Sequence, residues 1–238
     1  MKRKIRTWLR YWIPRVSSFF EPKGRKGKWF EEKYYTYLFT RSKHYSKPEP
    51  NEEEIERGRH IEELVGTALA LKKSAFNLII DFGCGRGWLS KELASYGKLI
   101  GIEPISKVVE YGRKLYPGLD LRTGDIETLT GYRADLIVCS EVIEHIGKKR
   151  QPEYFGVFHN VLEEGGFLII TTPRQEAFPE WTSYVDLDQP TEEWLTEAEL
   201  QQFAEDAGFH VVKKIVYGRQ PRPDAPAVEI YQQWLFRR

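Results

Sequence analysis

From residue 77 onward the chain repeats one pattern: a short apolar run, a polar or glycine-rich break, then a longer stretch with apolar side chains at helical spacing. The apolar runs fall at 77–82, 99–103, 120–123, 134–140 and 166–172, and the helical patterns at 88–96, 106–115 and 153–162. Short runs without alternating polar residues read as strands buried on both faces, which occur where helices cover a parallel sheet. A further helix over 196–207 opens with Thr196 and carries Glu199 three residues on, the pattern of a capping box. Two final runs, 211–216 and 228–236, read as a terminal strand pair. The expected fold is α/β, a doubly wound, mostly parallel seven-stranded sheet with helices on both faces.

The region before this pattern has a different composition. Residues 1–47 carry 14 Lys and Arg against 3 Asp and Glu, whereas the remaining 191 residues carry 22 against 32, so a net charge of +1 conceals a basic head on an acidic body. Within 2–20, Ile5, Trp8, Leu9, Trp12, Ile13, Val16, Phe19 and Phe20 fall at helical spacing among Lys2, Lys4, Arg6, Arg10 and Arg15. Basic helices with aromatic faces lie on membrane surfaces. The same stripe also suits packing against the body or a phosphate-contacting arm, and nucleic acid is the less favoured partner because the body is acidic. Pro14 ends or kinks such a helix. Residues 21–50 read as a linker or as a segment folded over a pocket, and 51–73 as a helix with Asn51 as its N-cap. The expected division is a basic, aromatic-rich extension over 1–50 and a folded domain over 51–238. No run approaches the roughly 18 apolar residues of a spanning helix. Two cysteines, Cys84 and Cys139, make neither a disulfide framework nor a four-ligand zinc pattern, and no metal site is assigned. The expected location is the cytoplasm, with peripheral contact at the inner membrane surface through residues 1–20.

The run Leu78-Ile79-Ile80-Asp81 leads into Phe82-Gly83-Cys84-Gly85-Arg86-Gly87-Trp88, a strand meeting a helix through three glycines at alternate positions. Glycines stand where the backbone takes positive φ or where a ligand approaches closer than a Cβ allows. A phosphate loop needs Lys-Ser/Thr after the last glycine, and the dinucleotide spacing needs glycine at 88 or 90, where Trp88 and Ser90 stand instead. The spacing suits a ligand with an amino-acid tail and no pyrophosphate. Glu103 closes the second strand, where a carboxylate can accept both hydroxyls of a ribose. Gly124-Asp125-Ile126 follows the third strand, placed for an adenine amine and ring.

With these elements in this order, the sequence resembles the class I S-adenosylmethionine-dependent methyltransferases over about residues 55–217. The resemblance rests on Asp81–Gly87, Glu103, Gly124-Asp125-Ile126, Cys139-Ser140-Glu141-Val142-Ile143-Glu144-His145, and Thr171-Thr172-Pro173. It implies S-adenosyl-L-methionine as cofactor. Asp81, Gly83, Cys84, Gly85 and Gly87 then face its methionine part, Glu103 and Pro104 its ribose, Asp125 and Ile126 its adenine, and Ser140 and Glu141 its sulfonium end. The enzyme's contribution would be alignment and charge compensation in an in-line displacement.

The acceptor is read from the fourth strand. Asn/Asp-Pro-Pro-Tyr/Phe, the mark of base and amide N-methyltransferases, is replaced here by Ser140-Glu141-Val142-Ile143. Glu141-x-x-Glu144-His145 would present three polar groups on one face of a helical turn. Similar segments occur in O-methyltransferases of quinones, natural products and sugars, where the histidine is a plausible base. His145, with Glu144, is thus the candidate catalytic group, since a hydroxyl acceptor must lose its proton. A metal-binding role and a purely capping role are the competing readings, and Thr171–Glu193 contains no histidine to complete a metal set. Residues 173–195, with Phe178, Trp181, Tyr184 and Trp194, are a candidate substrate cover or a cover for the core. The expected activity is methyl transfer to a hydroxyl of a small molecule, such as a saccharide, a quinone or a lipid-linked intermediate. An RNA methyltransferase and a non-catalytic cofactor-binding protein are the alternatives.

Overall fold

The computed structural model describes residues 26–187 and 189–238, with side chains from residue 30 onward. The aromatic stripe over 2–20 and Asp188, which the sequence placed in the cover, lie outside the described residues. Seven strands form one sheet: β1 Phe76–Phe82, β2 Gly97–Glu103, β3 Leu121–Thr123, β4 Ala134–Ser140, β5 Leu162–Pro173, β6 His210–Arg219 and β7 Val228–Arg237. Their order is β3-β2-β1-β4-β5-β7-β6. The first five are parallel, β7 runs antiparallel to β5, and β6 pairs antiparallel with β7, as the terminal strand pair predicted. Strand order reverses between β1 and β4, and open sheets of this kind hold ligands at the carboxyl ends of the strands flanking that point.

Helix α1 spans Lys26–Arg41, α2 Glu52–Lys72, α3 Trp88–Leu93, α4 Ser106–Leu115, α5 Gln151–Val161, α6 Phe178–Thr182 and α7 Glu197–Asp206. The signals read from the sequence act locally. The Asn51 side chain accepts from the Glu54 amide while Glu54 answers the Asn51 amide, and Thr196 and Glu199 repeat this box at α7. Ile61, Leu64, Val65 and Ala68 of α2 bury completely against Ile79, Leu136 and Val138 of the sheet. On the other face Tyr154, Phe155 and Phe158 of α5 pack with Phe82, Ile100 and Ile137. The sheet is thus covered on both sides.

Three expectations need correction. Helix α3 ends at Leu93 rather than 96, because β2 already begins at Gly97, where a Cβ would stand 2.3 Å from the Phe76 carbonyl oxygen. Strand β5 starts at Leu162, four residues early, because the chain pairs Leu162 with Ala134 before the register shifts. Residues 26–41, within a stretch read as loose, form α1, which folds over the pocket described below. Among the described residues, no helix is long and apolar enough to cross a membrane.

Candidate active site

The carboxyl ends of β1, β4 and β5 open into a cavity of 460 Å³. Asp81, Gly83, Cys84 and Gly85 line it from the β1 loop, Ser140, Glu141, Glu144 and His145 from the end of β4, and Pro173 from β5. Its roof is Tyr34, Tyr35, Leu38 and Phe39 of α1, with Trp181 and Trp194 of the 173–195 segment beside them. The glycine loop is left-handed at φ 75° for Gly83 and 53° for Gly85. A Cβ on Gly83 would stand 2.2 Å from a methyl of Val142, and one on Gly85 would press at 3.0 Å on the Phe39 ring. Both glycines are therefore fixed by backbone conformation and by close neighbours together.

Asp81 is buried and accepts a 2.6 Å hydrogen bond from the Ser90 hydroxyl of α3. Burial pushes its carboxyl up to about 7, and the Ser90 bond opposes this. Glu103 accepts from the amides of Gly85 (3.2 Å) and Ile105 (3.0 Å), tying the first loop to the start of α4, and burial raises it to about 7. Ser140 and Thr171 hydroxyls meet at 2.9 Å, and the Thr171 hydroxyl also donates to Glu141 at 3.0 Å. Glu141 stands alone at φ 55°, and Ile143–His145 form a single 3₁₀ turn. The three polar groups of Glu141-x-x-Glu144-His145 are therefore not stacked on an α-helix, yet all three face the cavity. Burial pushes both carboxyls up to about 8, and for Glu141 the neighbouring Glu144 adds to the effect while Arg57 opposes it.

His145 is held from outside its own turn. Nδ1 lies 2.7 Å from the carbonyl oxygen of Thr191, and Nε2 lies 3.8 Å from Oε1 of Glu144. A carbonyl oxygen only accepts, so the ring proton sits on Nδ1 and Nε2 carries the lone pair. Burial holds the imidazole below its ordinary value, favouring the neutral ring. Among the described residues no group of three or more His, Cys, Asp and Glu side chains is arranged to hold a metal ion.

Five expected cofactor contacts lie outside the lining of this cavity. Gly87 is a packing glycine at the start of α3, where a Cβ would meet Leu121 at 2.9 Å. Glu103, exposed Pro104, Asp125 and buried Ile126 lie along the ends of β2 and β3, on the side where an adenosine would extend. Asp125 accepts from the Ile126 amide at 2.7 Å and from the Tyr154 hydroxyl at 3.4 Å. The predicted cover divides as well. Trp181 and Trp194 face the cavity, Phe178 packs edge-on against Trp194 at 5.1 Å, and Tyr184 stacks under Arg222 at 5.3 Å.

The sequence reading passed over Arg57. This buried side chain lies in the cavity wall between Glu141 (3.6 Å) and Glu53 (3.9 Å), with its guanidinium 5.9 Å from the Trp88 ring and its Nε without a partner. Glu53 in turn accepts from the hydroxyls of Tyr45 (3.2 Å) and Tyr231 (2.7 Å) and pairs with Arg219. One signal was available: Arg57 falls on the apolar face of α2, four residues before Ile61, where a cation is out of place unless a partner or ligand awaits it.

A nucleoside-binding α/β sheet whose glycine loop and acidic strand ends meet at the β1/β4 crevice is the framework of the Rossmann-like methyltransferases. A family model described as "Methyltransferase domain" matches residues 53–214, and the chain belongs to that family, within the class I S-adenosylmethionine-dependent superfamily. It is 29% identical over 136 residues to a probable S-adenosylmethionine-dependent methyltransferase of Mycolicibacterium smegmatis, covering 56% of this chain and 52% of that protein. It is 31% identical over 75 residues to a ubiquinone biosynthesis O-methyltransferase of Coxiella burnetii, covering 29% and 32%. The chain spans about half the length or less of these curated relatives. Among solved structures, the N-methyltransferase NodS of Bradyrhizobium japonicum with S-adenosyl-L-homocysteine superposes with a TM-score of 0.64 at 18% identity, covering 87% of this chain and 98% of the other. Magnesium protoporphyrin IX methyltransferase of Synechocystis with bound S-adenosylmethionine gives 0.63 at 15% identity, covering 87% and 97%. At these identities the two likenesses concern the fold.

S-adenosylmethionine is the cofactor of this superfamily, and the residues present fit it. Asp81 offers a carboxylate to the ammonium of the methionine part, Arg57 a buried cation with an open donor to its carboxylate, and Glu103 a carboxylate to its ribose hydroxyls.

Proposed function

We propose that this protein transfers a methyl group to a hydroxyl of a small molecule, a saccharide, a quinone or a lipid-linked intermediate, with His145 as general base. The observation that carries the reading is the 2.7 Å contact from His145 Nδ1 to the Thr191 carbonyl, which leaves Nε2 as a neutral lone pair at the cavity wall. When bound, S-adenosylmethionine supplies the activated methyl group. Asp81, Arg57 and Glu103 anchor its polar ends, so that alignment is set before the acceptor enters. The acceptor hydroxyl gives its proton to Nε2, and Glu144, 3.8 Å away, faces the imidazolium that results. The walls of Tyr34, Tyr35, Trp181 and Trp194 with Glu144, Asp186 and Glu192 mix flat apolar faces with oxygen acceptors. Such walls suit a ring that carries hydroxyls. The likeness to the Coxiella O-methyltransferase agrees with this acceptor chemistry.

The test is transfer of radiolabelled methyl from S-adenosylmethionine to separated lipid, glycan and RNA fractions, followed by His145→Gln. Label in the lipid or glycan fraction is expected, with turnover lowered about 100-fold or more in the variant. Label confined to RNA would overturn the acceptor class. Undiminished turnover in the variant would overturn the base.

A further inference from the structure

The contact that sets the His145 tautomer comes from a segment with little regular structure, residues 183–196, so something must hold that carbonyl in place. The chain around Thr191 is fastened at two ends. On the body side, the Glu193 amide donates to the Glu144 carbonyl at 2.8 Å, the Glu193 carboxylate accepts from the Lys148 amide, and Gln151 Nε2 donates to the Glu193 carbonyl at 2.8 Å. The same Gln151 nitrogen donates to the carbonyls of Ile143 and Ile146 at 3.1 Å, so the turn bearing His145 and the chain at Glu193 are tied to one side chain. On the other side the fastening is helix α1. The Thr191 hydroxyl donates to Glu31 Oε1 at 3.0 Å, and one turn further along α1 the Tyr35 hydroxyl donates to Gln189 at 3.4 Å. The Tyr35 ring lies 5.6 Å from the His145 ring, so α1 touches both the imidazole and the loop that orients it.

We propose that Glu31 and Thr191 are positioning residues for His145: helix α1, through the Glu31 carboxylate, holds residue 191 so that its carbonyl keeps the ring proton on Nδ1 and leaves Nε2 as the base. The part of this concerning catalysis rests on the proposed function, whereas the tautomer is a property of the protein with or without an acceptor. Geometry alone supports the assignment of roles. Glu193 fixes the chain two residues downstream, but a peptide plane can still rotate at 191 unless the residue itself is held. The Thr191 side chain is held by its hydrogen bond to Glu31.

The experiment reads the tautomer directly. Long-range proton–nitrogen NMR of ¹⁵N-labelled protein saturated with S-adenosylhomocysteine gives the protonation of each imidazole nitrogen, and the His145 signals are assigned by their loss in His145→Gln. The full-length protein is expected to show His145 protonated on Nδ1 alone. Thr191→Val and Glu31→Ala are expected to bring in the Nε2-protonated form, with S-adenosylhomocysteine affinity by calorimetry unchanged. Glu31→Gln keeps an oxygen acceptor and is expected to restore the wild-type pattern. A pure Nδ1-protonated ring in both Thr191→Val and Glu31→Ala would overturn the proposal, as would Glu31→Gln behaving like Glu31→Ala. Survival of turnover in His145→Gln is a separate result that removes the base, not the positioning.

Discussion

Arg86 and Glu54 form a fully buried bidentate ion pair, Nη1 to Oε1 at 2.6 Å and Nη2 to Oε2 at 2.8 Å, that locks the glycine loop to the first turn of α2. Arg86 stands between the second and third loop glycines, and nothing in the glycine spacing announces it. Its Nε also donates to the Lys47 carbonyl at 2.6 Å, so a single guanidinium joins the loop, α2 and the chain entering α2. The site-forming loop is thus held by a fully buried charge pair.

That pair sets the first prediction. Arg86→Met leaves the Glu54 carboxylate buried without its partner, a change that costs about 3–5 kcal/mol. For a chain of this size each kcal/mol lowers the melting temperature by roughly 2–4 °C. Thermal unfolding of Arg86→Met is expected to show a drop of about 10 °C. The double variant Arg86→Met/Glu54→Leu is expected to recover much of the loss, because it removes the stranded charge. Equal melting of wild type and Arg86→Met would contradict the structure.

The cavity carboxyls predict how stability varies with pH. Asp81 and Glu103 are pushed up to about 7, and Glu141 and Glu144 to about 8. The folded state therefore binds more protons than the unfolded one. The stability this contributes is complete below the ordinary carboxylate range and is lost as pH rises toward 7–8. Each such group removes about 1.4 kcal/mol per pH unit between its two values. His145 works the other way: its pKa is held below 6.5, so its share is lost as pH falls through 6.5. Four raised carboxyls outweigh this imidazole and that of His159, which burial also holds below its ordinary value, and the melting temperature of the ligand-free protein is expected to fall from pH 5.5 to 8.5. Saturating S-adenosylhomocysteine, whose ammonium Asp81 would face in the proposed site, is expected to flatten the slope. A melting temperature that climbs across this range would show that these groups are ionised in the folded protein.

Gly83 packs the loop against the chain that leads into the turn bearing His145. Gly83→Ala must hold φ near 75° and also displace Val142, whose methyl lies 2.2 Å from the added carbon, and Val142 leads directly into Ile143–His145. The left-handed backbone alone costs roughly 1–2 kcal/mol, and overpacking adds about 1–3 kcal/mol. Urea unfolding is expected to show a loss of about 2–5 kcal/mol. Gly83→Ala/Val142→Ala should regain the overpacking part and keep the backbone part. Failure of the second substitution to restore anything would place the strain elsewhere.

How far the sequence carried the fold and the site follows from the range of the forces involved. Strand and helix identities depend on local patterning, so Ser106–Leu115 and Ala134–Ser140 match the sequence reading residue for residue, Asn51 caps its helix as read, and the Thr196/Glu199 capping box forms. The loop motif drew attention to Asp81 and the glycines because their spacing is chemically restrictive. Helix α1 was not legible: its tyrosines and phenylalanines make a broad aromatic surface whose partner, the cavity that α1 roofs, exists only after the sheet is assembled. Arg57, Glu31 and Thr191 were missed for the same reason. Each takes its meaning from a neighbour far along the chain: Glu141 for Arg57, and one another for Glu31 and Thr191.

Arg57 yields the last prediction. It is buried in the cavity wall, with Glu141 at 3.6 Å and Glu53 at 3.9 Å, both beyond hydrogen-bond distance, and its Nε has no partner. Burial acts against its charge, while Glu141 and Glu53 sustain it. Because Glu141 is pushed up to about 8, near neutral pH the ionised Glu53 faces two cations, Arg57 and Arg219, and the cluster is one negative charge short. A methionine carboxylate supplies that charge. A hydrogen bond to a charged group contributes about 1.5–3 kcal/mol, so Arg57→Leu is expected to weaken S-adenosylhomocysteine binding by roughly 10–100-fold in calorimetry. The control is 5′-methylthioadenosine, which carries the nucleoside and sulfur but no amino-acid tail. Its affinity is expected to stay within a factor of about two, since Glu103 and Asp125 are untouched and a factor of two is well under 1 kcal/mol. Parallel loss of both ligands would mean that Arg57 shapes the cavity as a whole, and unchanged binding of both would remove it from the cofactor site.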